Sequence, residues 1–376
     1  MGKGSNTSIF KEYCHYLSKY KDKYGEKTVL LMQVGSFYEI YAVLNETEQL
    51  GEIDIYNICN NIMNITVTPK VNGMLMGGFQ MPYSEKFIRV LIQAGYTVIL
   101  VEQTSEGSGA DREVKKVLSP GTYMEYNDSV TSHIMSVYIE KISQSFMGVG
   151  ISIIDVTTGN NYMYQIGENL DPNFWKDELS RLINYYSPKE FLFQTHNYDI
   201  TEKDIINFWD IQSSILQIDH YKDTVFQSLD YQNELLQKVF KFESMISPIE
   251  QLDLVHTHEM RHSYIYLLQY IYEHTQNSIQ NIHKPQKIND IHHMSLTSNS
   301  VRQLNVVQNY SYYKGKHESL YTICDECGFI GGKRLLKERL LYPSINPEVL
   351  QKRYDKVEAC IKVNLYTQLK DNLGKL

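Results

Sequence analysis

The chain has 376 residues, 42% of them hydrophobic, and a formal net charge of −8, which gives enough length and apolar content for two or three packed domains. The acidic balance excludes a protein that grips nucleic acid by neutralising phosphates over its whole surface; the basic excess is local, where Lys3, Lys11, Lys19, Lys21, Lys23 and Lys27 outnumber Glu12, Asp22 and Glu26. Five scattered cysteines, no signal-like apolar stretch after Met1 and no long uncharged run exclude a disulfide scaffold and a membrane span, and predict a reducing, intracellular setting.

The pattern from Ser8 to about Tyr24 predicts a helix, with Ile9, Tyr13, Tyr16 and Leu17 on one stripe and Gly25 as its stop. The apolar run Val29-Leu30-Leu31-Met32 predicts a buried strand whose end is Val34-Gly35-Ser36-Phe37-Tyr38-Glu39-Ile40-Tyr41. Strand side chains alternate, so Phe37, Glu39 and Tyr41 share one side while Tyr38 and Ile40 take the other. A ring and a carboxylate are displayed together. Gly35 suits a bulge or the close approach of another backbone. On these residues alone, a core ring with a solvated carboxylate stands as the plain alternative.

Further on, the pattern predicts a helix over 45–60, a strand over 65–68, a helix over 83–93, and strands over 96–102 and 113–118, with a Gly/Ser loop at 104–111. This is a small mixed α/β domain. A second domain begins near Ser132 with antiparallel strands at 135–140, 148–155 and 161–165, a tight turn at Thr157-Gly159-Asn160, and a helix at 173–186. Asp155 ends one of these strands, but two-metal nuclease chemistry needs several converging carboxylates.

From about His256 the chain turns helical, with Met260, Tyr264, Leu267, Leu268 and Ile271 on one stripe. The same helix carries His258-Glu259-Met260-Arg261-His262, the zinc and general-base spacing of many metallopeptidases. His274 or His283 is available as the third ligand, yet nothing else in the chain builds a cleft, and both motif histidines are expected to be structural or solvent-facing. Gly332-Lys333 fails as a phosphate loop, because Cys327 stands where the first Gly is needed and Arg334 where Ser or Thr would bind magnesium. Cys324 and Cys327 are expected on the helix before it, as thiols without a second pair.

Gly35-Ser36-Phe37-Tyr38-Glu39 is followed in order by Ile65-Thr66-Val67-Thr68-Pro69-Lys70, Met76-Gly77-Gly78-Phe79, Ala94-Gly95-Tyr96-Thr97-Val98 with Glu102-Gln103, Arg112-Glu113-Val114 and Ser119-Pro120-Gly121-Thr122. The series closely resembles the mismatch-recognition domain of the MutS family of DNA mismatch-repair proteins. The run Gly150 to Gly159 resembles that family's connector, whose fold is similar to ribonuclease H. Ser298 to Val306, Leu320 to Ile323 and Gly331 to Pro343 resemble the opening of its core and lever domain, continued by a long helix over 349–363.

The resemblance implies a multidomain α/β plus α chain: a mismatch-recognition domain over 1–125, a ribonuclease-H-like connector over 130–255, and the start of an all-helical lever domain over 256–376. Phe37 and Glu39 map onto the family's mismatch-reading pair, with Gly35, Ser36, Tyr38, Met76 and Lys70 as further DNA-binding positions. Ser36 departs from the usual Asp, and Gln33 and Val34 also differ. The implied partner is mismatched double-stranded DNA, with a dimer in the full-length protein, a repair-protein partner on the connector, and no membrane. The family's clamp, ATPase and dimerising segments follow this region, so the chain is expected to be an N-terminal part without catalytic, metal or cofactor residues, ATP and magnesium belonging to the full-length protein. Two other readings are a hydrolase using His258, Glu259 and His262, and a scaffold that contacts repair partners while the reading pair is idle.

Overall fold

Helix α1 (Ser5–Tyr24) buries Tyr13 and Leu17 on one stripe, and in a computed structural model of the chain that stripe lies on a mixed sheet. The structure describes residues 5–45, 49–70, 73–104, 111–123, 132–143, 146–167, 171, 173–209, 211, 215–219, 224–274, 281–288, 293–294, 296, 298–307, 318–363 and 365–373. The loop expected at 104–111 and the seam expected between 125 and 130 fall almost wholly outside them.

The first sheet contains β1 (Thr28–Val34), β2 (Phe37–Leu44), β3 (Gln49–Gly51), β4 (Thr68–Pro69), β5 (Met74–Gln80), β6 (Thr97–Gln103) and β7 (Arg112–Leu118). Its order is β4-β5-β2-β1-β6-β7, with β3 on β2; β1 and β6 are parallel and the other neighbours antiparallel. Val29, Leu30, Leu31 and Met32 are all fully buried because both faces of β1 are covered, which is why this central strand reads as an unbroken apolar run. On one face Tyr13 of α1 meets Tyr41 edge-on at 5.5 Å. On the other, Phe87 of α2 (Ser84–Gln93) packs on Phe79 at 4.4 Å.

Three expectations change here. The stretch Val34 to Tyr41 is not the end of one strand: the chain reverses at Gly35-Ser36, and Phe37 opens β2. The helix expected over 45–60 is replaced by β3 and a π-helical segment, Asn57–Ile62, because Gly51 takes a φ of +76° that turns the chain back onto β2, and the wide helix then buries Ile58 and Cys59. The strand expected over 65–68 shrinks to Thr68–Pro69, since Pro69 has no N–H to give to a ladder.

The second sheet contains β8 (His133–Lys141), β9 (Met147–Asp155), β10 (Asn161–Ile166), β11 (Glu190–His196), β12 (Ile215–Asp219) and β13 (Gln286–Lys287), in the order β12-β11-β8-β9-β10-β13. β8, β9 and β10 are an antiparallel meander, whereas β11 is parallel to both β8 and β12. Met135, Val137 and Ile139 face a core shared with Trp175 and Leu179 of α3 (Phe174–Tyr186) and with Ile205 and Trp209 of α4 (Glu202–Trp209).

The opposite face is lined with small groups, Ser136, Gly148, Gly150 and Ser152, and helix α7 (His258–His274) lies directly on it. α5 (Leu229–Phe240), which packs beside α7, and α6 (Pro248–Gln251), which packs on α5, precede it in the chain. The Ser263 hydroxyl donates to Ser136 O at 2.8 Å, and that of Tyr264 donates to Asn161 at 3.0 Å. The segment expected to open the helical domain at 256 therefore packs, through residues 258–274, as a layer of the second sheet. At its far end His274 meets Tyr24 and Glu273 pairs with Lys23, so α7 also bridges to α1.

The remaining helices are α8 (Ser298–Gln303), α9 (Leu320–Cys324), α10 (Ile330–Leu341), α11 (Pro347–Lys362) and α12 (Tyr366–Leu373). Their small core joins Val301, Val306 and Leu341 to Tyr185 of α3. α9 ends at Cys324, so Cys327 is not on that helix as expected but follows it in a turn, its N–H donating to Asp325.

Candidate nucleic-acid interface

The β1–β2 hairpin carries the ring and the carboxylate. Val34 pairs with Phe37, leaving Gly35-Ser36 as a two-residue loop. Gly35 has a φ of +60° while Ser36 does not enter the left-handed region, the pattern of a type II′ turn whose first central position favours glycine. No heavy atom lies within 4 Å of where a Cβ on Gly35 would stand. Backbone conformation, not a close approach, is what requires glycine there.

Several bonds hold this tip. Met81 N–H donates to Ser36 O at 2.9 Å. Gln33 Nε2 donates to Gly35 O at 3.0 Å, Gln33 Oε1 accepts from Gln103 N–H, and Arg112 Nε donates to Gln33 O. Arg112 is in turn tied to Glu12 of α1 at 3.1 Å. Gln33 on β1 and Arg112 on β7, with β6 between them, thus brace the turn. The sequence carries no local signal for either role, since both depend on β1, β6 and β7 lying side by side in that order.

At the tip Phe37 is 39% exposed although it is a large aromatic. Glu39, one step along the same face, is half-buried, and Oε2 accepts the Tyr41 hydroxyl. Burial first, and then the neighbouring Glu39 carboxylate, push the Tyr41 phenol far above its ordinary value, so it stays a donor. Gly78 stands opposite Glu39, and a Cβ there would come within 3.2 Å of Glu39 Cγ. Tyr38 points away, as strand alternation requires, and its hydroxyl donates to Glu102 at 2.7 Å.

Of the seven positions implied for DNA contact, the structure brings Gly35, Ser36, Phe37 and Glu39 to one tip, with Tyr38 on the reverse face. Met76 pairs with Tyr41, four residues along β2 from Phe37, and is about 14 Å away at strand spacing. Lys70 is exposed beyond it, its N–H donating to Met74 O. The exposed residue directly across from Phe37 is Gln80, visible only once β2 and β5 are in register. The basic excess of α1 is partly spent inside the protein, Lys21 pairing with Glu52 at 3.1 Å and Lys23 with Glu273. An exposed ring beside an oriented acceptor can stack on a flat apolar surface and take a hydrogen bond at its edge.

Elsewhere, Asp155 accepts from Thr157 N–H, Thr157 Oγ1 and Thr158 Oγ1, which makes it the cap of a turn. Lys333 lies 3.5 Å from Asp325. The third ligands considered for the α7 motif do not converge on it: His274 is at the other end of the helix, roughly 24 Å on at 1.5 Å per residue, and His283 is anchored by its N–H to Gly159 O.

Residues 10–127 match the family model for MutS domain I, and residues 299–376 match that for MutS domain III. The chain is 28% identical over 412 residues to a putative DNA mismatch repair protein, a mutS homolog of Acanthamoeba polyphaga mimivirus, covering 98% of this chain and 36% of that relative. It is 26% identical over 374 residues to the DNA mismatch repair protein MutS of Borreliella burgdorferi, covering 97% of this chain and 39% of the relative. For MutS of Caldanaerobacter subterraneus subsp. tengcongensis the identity is 27% over 369 residues, at 95% and 38%. The chain thus spans less than two fifths of the length of these relatives. Among the described residues no helix is long and apolar enough to cross a membrane.

Proposed function

We propose, for a chain that belongs to the MutS family, that it recognises mismatched duplex DNA by inserting Phe37 at the mispaired step with Glu39 beside it. The observation that carries this reading is the exposed ring at the tip of a braced hairpin, next to a carboxylate that Tyr41 holds in place. A ring wedged into a base step from the minor groove unstacks it and kinks the duplex, at a cost of a few kcal/mol that is smaller where pairing is already weak. Stacking of a base on the ring returns about 1 to 3 kcal/mol. The mismatch is read as deformability, and no bond is made or broken.

On this reading the chain is a binding module. The DNA mismatch repair named for its relatives supports DNA as the partner, and the order β12-β11-β8-β9-β10, with β11 and β12 parallel to β8, supports a ribonuclease-H-like connector for the second domain. Contact with repair partners belongs to that connector. ATP, magnesium and dimer formation belong to the rest of a full-length family protein. The net charge of −8 makes phosphate grip weak, so selectivity rests on the hairpin tip.

The test is a titration of the chain against one duplex with and without a single G·T pair, at one low salt concentration. Tighter binding of the mismatched duplex is expected. Equal affinity for the two would remove the reading and leave a scaffold.

A further inference from the structure

The end of β8 and the first turn of α7 bring together groups that mismatch reading does not use. β8 turns its even-numbered residues toward α7, which sets Tyr138 and Glu140 against the helix start. There the Glu140, His258 and Glu259 side chains offer ligand atoms that all lie within 4.8 Å of one another. Glu140 Oε2 is 3.8 Å from His258 Nδ1 and accepts the Tyr138 hydroxyl at 3.1 Å; Oε1 is 3.1 Å from His196 Nδ1. Behind them His262 is 3% exposed and stacked on Tyr138, its Nε2 only 3.0 Å from His258 Nε2.

Charge is what makes this arrangement informative. Glu140 and Glu259 converge without a Lys or Arg ion pair on either among the described residues. Among the described residues, the Glu259 carboxylate receives the Gln165 amide, at 2.7 Å. The helix dipole favours one carboxylate in a first turn, and Glu259 takes that place; it does not account for a second one delivered by β8. Two carboxylates and an imidazole that converge on one point form the donor set of a divalent ion.

The imidazoles fit a cation. His258 Nε2 lies 3.0 Å from His262 Nε2, so the other ring nitrogen of His258, Nδ1, is the one that faces Glu140. At 3.8 Å, His258 Nδ1 and Glu140 Oε2 are beyond hydrogen-bond distance and are spaced as two ligands of one ion are. The hydrogen bond to His262 supplies the fixed outer partner that metal-bound imidazoles regularly have.

We propose that Glu140, His258 and Glu259 hold one divalent transition-metal ion that pins the first turn of α7 to the end of β8. One imidazole and two carboxylates suit zinc or manganese. This set takes the first His and the Glu of the HExxH motif with a carboxylate more than a hundred residues upstream, and its role is a structural clamp.

The test uses the 376-residue chain without a tag, stripped with a chelator and titrated calorimetrically with zinc chloride. One equivalent of zinc is expected to bind and to raise the melting temperature, an effect that EDTA reverses. Glu140→Gln, Glu259→Gln and His258→Ala are each expected to weaken binding at least tenfold, while His15→Ala, at an exposed histidine on α1, leaves it unchanged. The two Gln variants keep side-chain size, so their circular dichroism should match wild type. Absence of stoichiometric zinc binding overturns the proposal, as does binding that survives unchanged in both Gln variants. No DNA enters the measurement, so its result is independent of mismatch reading.

Discussion

The Tyr41 hydroxyl donates to the Glu39 carboxylate from two residues along the same strand, so a buried phenol orients the acid that stands beside the exposed Phe37. The strand period of two makes this possible, since residues 37, 39 and 41 share a face, and the Tyr13 ring packed against Tyr41 keeps the phenol from swinging away.

Tyr41→Phe keeps that ring packing and removes the donor. Stability at pH 7 is expected to fall by about 1–2 kcal/mol, the worth of a hydrogen bond to a charged group reduced for a half-exposed acceptor. The Tyr41 pKa is raised above its ordinary value of 10.0, so its contribution is full below pH 10 and is lost as pH rises beyond it. Urea melts of both proteins should therefore differ at neutral pH and converge in alkali. Identical midpoints at pH 7 would show that the bond contributes nothing.

Phe37 and Glu39 are expected to act in opposite senses on DNA. Phe37→Ala removes the stacking surface and should cost about 1–3 kcal/mol in mismatch affinity, with little change for matched duplex. A carboxylate beside a polyanion is unfavourable unless a base donates to it, and stacked, paired bases cannot easily do so. Glu39→Gln should accordingly raise matched-duplex affinity. Unchanged binding of both duplexes by both variants, measured by fluorescence anisotropy, would take the pair out of recognition.

Gly150→Ala probes the seat of α7. A Cβ there would stand 2.1 Å from the backbone carbonyl carbon of Glu259, a distance only backbone movement can relieve. Stability should drop by roughly 1–3 kcal/mol, with hydrogen exchange rising first along α7. A wild-type melt would mean that the helix sits farther from β9.

Glu190 offers a pH test. It is fully buried, Oε1 accepting the Gly121 N–H at 3.0 Å, and burial raises its pKa despite that bond and the nearby Ser119 and Tyr270. A raised folded pKa favours the fold below the ordinary 4.5, and that contribution is lost as pH rises through the folded value. Glu190→Gln mimics the protonated acid, so it should equal or exceed wild type in stability at pH 7 and lose that advantage near pH 4.5. A loss of more than about 1 kcal/mol at pH 7 would show that the ionised form is favoured.

Periodicity and motif order were legible in the residues themselves. The alternation that puts Phe37, Glu39 and Tyr41 together, the both-faces burial of Val29 to Met32, the meander through β8, β9 and β10 and the family resemblance all rest on local spacing, and local spacing is set by backbone geometry. The hairpin at Gly35 was harder to see, because apolar residues on both sides of a two-residue turn imitate one continuous strand. β11 was missed for a related reason: a strand buried on both faces shows no alternation, and Glu190 to His196 is nearly all buried.

What only the tertiary structure decided is which distant residues meet. Gln80 faces Phe37 because β2 and β5 pair in that register, and Arg112 braces Gln33 because β6 and β7 continue the same sheet. Glu140 reaches His258 because α7 lies on the Gly148 and Gly150 face of the second sheet. These contacts span tens to more than a hundred residues. Each forms by closing a long loop, whose entropy depends weakly on its length and not at all on which side chains its ends bring together. Local composition therefore places a carboxylate on a strand and a histidine on a helix, and the packing of helix on sheet makes them neighbours.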